Sequence, residues 1–212
     1  MNKSQLTNFI TKYTLGGEIK STKWTSNGDS LSTRFISGDK SVVGSVVLSK
    51  FNHLSPCELG VYNTGQLSSL LSVLGDDVEL NLSQSGDKFI SMEFEDTNRK
   101  TKSKYMLSDL SVIPTPPALK NLPDSFELGI KVDPYFVNTF ISGKGALADA
   151  ETFTILTENG ETKIVIGYAS IASNRVTIPV ETTKQADIEP ISFNANMFAS
   201  ILNANKDCES AT

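Results

Sequence analysis

The chain has 212 residues, a mass of 23.0 kDa and a net charge of −5 from 19 basic and 24 acidic residues. That length fills one large domain or two small ones and buries a core without staples. Two cysteines, Cys57 and Cys208, exclude a disulfide framework and lead us to expect a reducing, intracellular setting, and no stretch reaches the ~18 apolar residues of a membrane span.

The opening MNKSQLTNF has no apolar run of signal-peptide length, so secretion is not expected. Residues 1–110 carry 12 basic and 12 acidic side chains, and residues 111–212 carry 7 and 12, so the second half supplies the whole negative balance. An acidic chain is not held on nucleic acid by bulk attraction, although a local positive patch remains open to it.

In chain order, Ser4–Tyr13 has Leu6, Phe9, Ile10 and Tyr13 on one face, the spacing of an amphipathic helix. Strands follow at 17–25, 30–37 and 41–48. Glu58–Asn63 is a short strand, and Leu67, Leu70, Leu71 and Leu74 then repeat the helical spacing over 66–74, with Thr64 as the expected cap. Val78, Leu80 and Leu82 alternate with polar residues, Ser85-Gly86-Asp87 turns the chain, and Phe89–Phe94 and Lys102–Leu107 are further strands. Residues 110–123 hold four prolines between 114 and 123 and should run extended as a connector. Two domains follow, 1–109 and 124–212.

The second half repeats the order. Phe126–Val132 is a strand, Asp133-Pro134 an N-cap followed by proline at the first helical position, and Tyr135–Ile141 a helix that Gly143 and Gly145 stop. Strands are expected at 153–157, 163–168 and 175–180, with a turn at Glu158-Asn159-Gly160. Ile191–Asn194 is a strand, and Asn196–Leu202 a helix with Met197, Phe198, Ile201 and Leu202 inward. Glu58-Leu-Gly60 recurs as Glu127-Leu-Gly129, each entering a strand followed by a helix. The fold class is α+β with four strand–helix–three-strand units. The last is cut short by three strands at Thr212, unless the final helix simply closes the fold.

The chemistry of an enzyme is missing. His53 is the only histidine, Cys57 suits a small core or rim residue, and the two cysteines with one histidine make no zinc set. No metal or cofactor is expected. Gly16-Gly17 and Gly143-Lys-Gly145 match no phosphate loop. Asp76, Asp77 and Asp149 lie in turns of separate units rather than in one carboxylate cluster.

The polar helix faces are Ser, Thr, Asn and Gln, and acidic residues are missing from the helix bodies. Lys3 and Lys12 belong to the first helix, Lys20 follows it, and Lys144 and Lys206 follow the third and fourth. A neutral to weakly positive helix surface would let DNA pass without being gripped at a fixed sequence. The bland alternative is that such faces only keep helices soluble and that the lysines answer helix dipoles.

The stretch Leu59-Gly-Val-Tyr-Asn-Thr-Gly-Gln-Leu-Ser-Ser-Leu-Leu-Ser-Val-Leu-Gly-Asp-Asp-Val-Glu-Leu-Asn-Leu-Ser83 resembles the sliding clamps of T4-like tailed bacteriophages. These DNA polymerase processivity factors are related to the cellular proliferating-cell clamp. The opening helix, with Asn8-Phe9, is similar as well. The likeness covers most of 1–109 and rests mainly on element order over 124–212. It implies a DNA-clamp fold of two similar domains, helices on one face of the sheets, and a homotrimeric ring around duplex DNA in the cytoplasm of an infected bacterial host. Implied partners are the replicative DNA polymerase, an ATP-driven clamp loader and the late-transcription apparatus.

By position in the family, Lys3 and Lys12 face the hole, with Lys144 and Lys206 as looser matches. Ring closure would pair an edge at 101–109 (Lys104, Tyr105, Leu107) with a neighbour's edge at 174–181 (Val176, Ile178, Val180). Leu110, Val112, Ile113 and Pro114 are candidates for a pocket that takes partner peptides. The rival reading is a structural or scaffold protein of a virus particle, which would scatter its lysines where a clamp gathers them.

Overall fold

The computed structural model describes residues 1–118, 125–169, 171 and 173–208. It is mixed α+β, with four helices and several antiparallel sheets among these residues. The chain divides into two compact units, Met1–Leu119 and Lys120–Thr212. The division falls inside the proline-rich segment, of which residues 119–123 lie outside the described set.

The first unit opens with α1 (Lys3–Thr14), then β1 (Thr22–Ser26), β2 (Ser30–Ile36) and β3 (Val43–Ser49). β4 (Cys57–Val61) leads into α2 (Thr64–Ser72), and β5 (Val78–Ser85), β6 (Lys88–Asp96) and β7 (Lys102–Met106) follow. The sheets run β3-β2-β1-β4 and β5-β6-β7. Thus the strand before α2 joins the sheet that follows α1. The reverse exchange is also made: Asn2, just before α1, bridges Asp77, and Met1 exchanges backbone bonds with Val78 at the start of β5.

The second unit repeats this exchange. β8 (Gly129–Ile130) precedes α3 (Pro134–Ala146), followed by β9 (Thr152–Glu158), β10 (Glu161–Ile166) and β11 (Val176–Pro179). After β12 (Thr182–Lys184), β13 (Ile191–Asn194) leads into α4 (Ala195–Ala204). The order β11-β10-β9-β13 puts the strand before α4 beside the first strand after α3, as β4 lies beside β1. β12 pairs with β8.

The cores come from the expected helix faces. Leu6, Phe9, Ile10 and Tyr13 of α1 and Leu67 and Leu71 of α2 are buried with Trp24, Leu31, Leu59 and Val61 of the sheet. Phe9 meets Tyr13 and Trp24 edge-on, each at a centroid distance of 5.5 Å. In the second unit Phe136, Val137 and Phe140 of α3 pack with Phe153, Ile164 and Ile166, and Phe198 of α4 lies against them.

Several expectations are corrected. The strand expected at 17–25 begins only at Thr22, because Leu15–Gly17 forms a 3-10 turn with Leu15 and Gly16 at positive φ. α2 is capped by Asn63, whose side chain accepts from Gln66 N at 3.0 Å, and Thr64 is buried as the first helical residue. Gly143 and Gly145 do not stop α3, which runs to Ala146. Gly143 instead lets the helix approach the sheet, since a Cβ there would meet Val176 at 3.0 Å and Ile166 at 3.2 Å. The strand expected over Phe126–Val132 shrinks to two residues. In α4, Met197 and Leu202 are buried, whereas Phe198 and Ile201 are half-buried.

Other local signals are realised as read. Asp133 caps α3 through Phe136 N at 2.8 Å, with Pro134 at the first helical position. Asn159 and Gly160, both at positive φ, make the tight hairpin turn between β9 and β10. The recurring Leu-Gly pairs mark close crossings. A Cβ on Gly60 would lie 2.3 Å from Ser108 O, and one on Gly129 would lie 2.5 Å from Thr183 Oγ1.

Candidate nucleic-acid interface

Among the described residues, no aspartate or glutamate falls within any of the four helices, although the chain carries 24. The exposed faces are Gln5, Thr7, Asn8 and Thr11 on α1, Gln66, Ser69 and Ser72 on α2, Asn138 and Ser142 on α3, and Asn196 and Asn203 on α4. Many hydroxyls turn back on their own helix. Thr7 donates to Lys3 O at 3.1 Å, Thr11 to Thr7 O at 2.9 Å, Ser69 to Gly65 O at 3.0 Å and Ser72 to Ser69 O at 2.7 Å. With their protons so engaged, these groups offer few donors to an approaching phosphate. Such a surface neither repels a polyanion strongly nor holds it in one place.

The five lysines expected to face DNA divide into two sets. Lys20 and Lys206 are exposed and Lys12 is half-buried in the last turn of α1. The carbonyl of Lys20 accepts from both the N–H and the hydroxyl of Thr64, which holds Lys20 beside the start of α2. Lys3 and Lys144 serve the fold instead. Lys3 Nζ donates to Leu74 O just past α2, and Lys144 Nζ donates to Ala148 O at 2.7 Å beyond the end of α3. Lys144 is 8% exposed, so its expected contact with DNA is corrected: the ammonium is engaged by the carbonyls of Leu147 and Ala148 just past its own helix.

Sequence reasoning passed over Arg99 and Lys100, both exposed in the turn between β6 and β7. That turn is fastened to the end of α2. Gly75 N donates to the Asp96 carboxylate at 2.7 Å, and Thr97 N donates to Asp77 O at 3.0 Å. The buried Asp96 also accepts from the N–H groups of Asn98 and Arg99, and these bonds, that of Arg99 foremost, hold its pKa below the usual carboxylate value. The signal was present as the run Asn98-Arg-Lys-Thr-Lys-Ser-Lys104, but only the fold shows that its first part adjoins a helix end.

Of the residues expected at subunit edges, Lys104 and Tyr105 lie on β7 and Val176 and Ile178 on β11, strands outermost in their sheets, while Leu107 and Val180 follow directly after them. Their side chains differ in availability. Tyr105 and Ile178 are buried in their own units, and the Tyr105 hydroxyl accepts from Asn63 N at 2.9 Å at the cap of α2. Lys104 is exposed and pairs with Glu93 at 2.8 Å, an interaction that lowers the Glu93 pKa. Leu107, Val176 and Val180 are half-buried.

The four residues expected in a peptide pocket differ in exposure. Ile113 is buried beside Gly60, Val112 is 58% exposed and Pro114 is exposed. Leu110 lines a cleft of about 470 Å³ with Phe89, Ile90 and Leu107.

His53 is exposed, with its ring edge-on to Phe51 at 5.2 Å, and desolvation lowers its pKa. Burial raises the pKa of the Cys57 thiol, away from the nucleophilic form. Among the described residues no three His, Cys, Asp or Glu side chains gather as a metal set, and no helix is long and apolar enough to cross a membrane. No protein-family model matches the chain, and no curated protein matches it.

Proposed function

We propose that this chain is a subunit of a homotrimeric sliding clamp, a ring that encircles duplex DNA without reading its sequence and tethers the replicative DNA polymerase. The observation that carries the reading is the repeated exchange of the strand before each second helix into the sheet that follows the first, in both units, with all four helices free of carboxylates. Repetition of one unit is what a closed ring of like domains requires, and acid-free helices are what a channel for a polyanion requires. Lys12, Lys20 and Lys206, joined by Arg99 and Lys100, supply scattered point charges. Few phosphate contacts mean weak, mobile binding whose strength falls with salt.

Under this reading an ATP-driven clamp loader opens the ring, the late-transcription apparatus is a further partner, and the setting is an infected bacterial cell. The chain contributes shape and topology rather than chemistry. The test is light scattering of the purified chain with negative-stain imaging. A particle of three 23.0 kDa chains with a central hole supports the clamp. A monomer at micromolar concentration, or an irregular assembly without a hole, rejects it and turns attention to a structural protein of a virus particle.

A further inference from the structure

Two strands cross into the sheet that follows an earlier helix, and their outer sides differ. β4 and β13 each lie last in their sheet, and each leads into a helix capped by an asparagine, Asn63 or Asn194. Each also sets an apolar residue opposite a buried aromatic. Leu59 pairs with Trp24, and Phe193 pairs with Phe153 and stacks on it at 5.5 Å.

In the first unit the outer side of β4 is occupied. Ser108 N donates to Gly60 O at 2.9 Å in an antiparallel bridge, the Tyr105 hydroxyl accepts from Asn63 N, and Ile113 lies beside Gly60. Leu59 and Val61 are accordingly 1% and 0% exposed, whereas Ile191 and Phe193 of β13 are 48% and 46% exposed.

The outer side of β13 offers a short ladder. Ala195 N donates to Glu151 O at 2.9 Å, and successive residues of an antiparallel strand alternate, so Ile191 and Phe193 turn their backbone groups to β9. Ser192 turns its N–H and C=O outward, with the C=O of Pro190 and the N–H of Asn194 on the same side. Among the described residues no strand pairs with that side. The charge along the chain here has one sign. Residues 145–158 carry Asp149, Glu151 and Glu158, residues 185–205 carry Asp187 and Glu189, and neither stretch has a basic residue. Glu158 pairs with Lys163 at 3.5 Å. Glu189 and Glu151 are exposed at opposite ends of β13.

We propose that the outer edge of β13 takes an extended segment of a partner protein as an added antiparallel strand, with apolar side chains at alternate positions and basic ones at its ends. Main-chain bonds to Ser192 hold the segment, its apolar side chains cover Ile191 and Phe193, and its basic ends meet Glu151 and Glu189. The first unit supplies the precedent, because an antiparallel segment of its own chain covers β4 in this way. A second copy of the chain is the poorer occupant. Pairing β13 with β13 about Ser192 would set Glu189 of each copy at the Glu151 end of the other, like charge against like. The site lies within the second unit and is independent of the ring.

The test is fluorescence anisotropy with the full chain and a labelled synthetic peptide of alternating valine and threonine with lysines at both ends. Binding should saturate. The same peptide with glutamates at its ends, or with a proline at its centre, should bind at least about tenfold more weakly. Ser192→Pro removes the outward N–H, and proline is tolerated on an edge whose N–H faces solvent. That variant should keep the far-UV circular dichroism of the parent and bind at least about tenfold more weakly. Glu151→Lys with Glu189→Lys touches no backbone group and should exchange the preference for lysine ends for one for glutamate ends. Binding that never saturates, a folded Ser192→Pro chain that binds as the parent does, or a Glu151→Lys, Glu189→Lys chain that still prefers lysine ends overturns the proposal. An assembly formed without peptide and broken by Ser192→Pro in light scattering gives the edge to a second copy and also overturns it. Failure of peptide binding leaves the clamp standing, since the ring is judged from particle mass and shape without peptide.

Discussion

In the first unit the helices are tied to the sheet by a buried chain of hydrogen bonds, whereas in the second they meet it through phenylalanine rings packed edge-on or tilted. Trp24 Nε1 donates to the Tyr13 hydroxyl at 3.2 Å, Tyr13 donates to Thr64 Oγ1 at 3.3 Å, and Thr64 donates to Lys20 O at 3.1 Å. One line of polar atoms thereby joins α1, β1 and α2, and burial drives the Tyr13 pKa far above its ordinary value. In the second unit Phe136, Phe140, Phe153 and Phe198 pack ring against ring at 4.9 to 6.4 Å. Hydrogen bonds are directional and specify one arrangement, while ring packing is strong and tolerates small shifts.

The strands that feed the second helices differ in the same sense. Leu59 and Val61 of β4 are buried, and Ser108 and Ile113 come back over Gly60 between them. All four residues of β13 are exposed, with Ile191 at 48% and Phe193 at 46%. The first unit therefore closes over its inserted strand, and the second presents it.

The sharpest way to break the contrast is Phe140→Ala. Phe140 is fully buried among three rings, so its loss should cost the second unit about 3–5 kcal/mol in a urea unfolding curve. A loss under about 1 kcal/mol would mean that the rings are not packed as described. Tyr13→Phe removes a single oxygen, yet it strands the Trp24 N–H. It should cost the first unit about 1–3 kcal/mol, and a neutral result would deny the polar chain its role.

The caps should act alike in the two units. Asn63→Ala and Asn194→Ala each delete an acceptor for a backbone N–H, at 3.0 Å and 2.8 Å, and each should cost about 1 kcal/mol in thermal unfolding. A cost at only one of them would show that one helix start is set by packing alone. The smallest effect is in pH. The Asp96 pKa is lowered in the folded state, so its contribution is present above the unfolded carboxylate value near ~4 and is lost as pH falls through the folded value. The Tm gap between the parent chain and Asp96→Asn should narrow as pH drops below about 4. A gap that is flat with pH removes the carboxylate from the fastening of the β6–β7 turn.

Much of the architecture was legible because local patterns and tertiary packing agree. The apolar stripes of α1 and α2, the Asp133-Pro134 start of α3 and the Asn159-Gly160 turn each rest on the geometry of a few neighbouring residues. The misreadings arose where a distant segment decides. Gly143 reads as a stop by propensity, but the approach of Val176 and Ile166 requires a residue without a Cβ inside the helix. Thr64 reads as a cap by type, but Tyr13 and the Lys20 carbonyl draw its hydroxyl into the core and leave the cap to Asn63.

The candidate surface was half legible. The absence of carboxylates from the helices is a property of composition along the chain, and it survives folding unchanged. The fate of each lysine does not. Lys12 and Lys144 sit in equivalent last turns of their helices, yet one is half-exposed and the other is buried on backbone carbonyls.

By itself, the sequence determined where helices and strands form, which faces are apolar and where charge is withheld, because those depend on residue type and short-range spacing. Only the tertiary structure decided which strand enters which sheet, which cations remain at the surface, and that Leu110 turns to a cleft while Ile113 turns to the core. Those outcomes depend on hydrogen bonds and packing between residues far apart in the chain, and no local pattern carries that information.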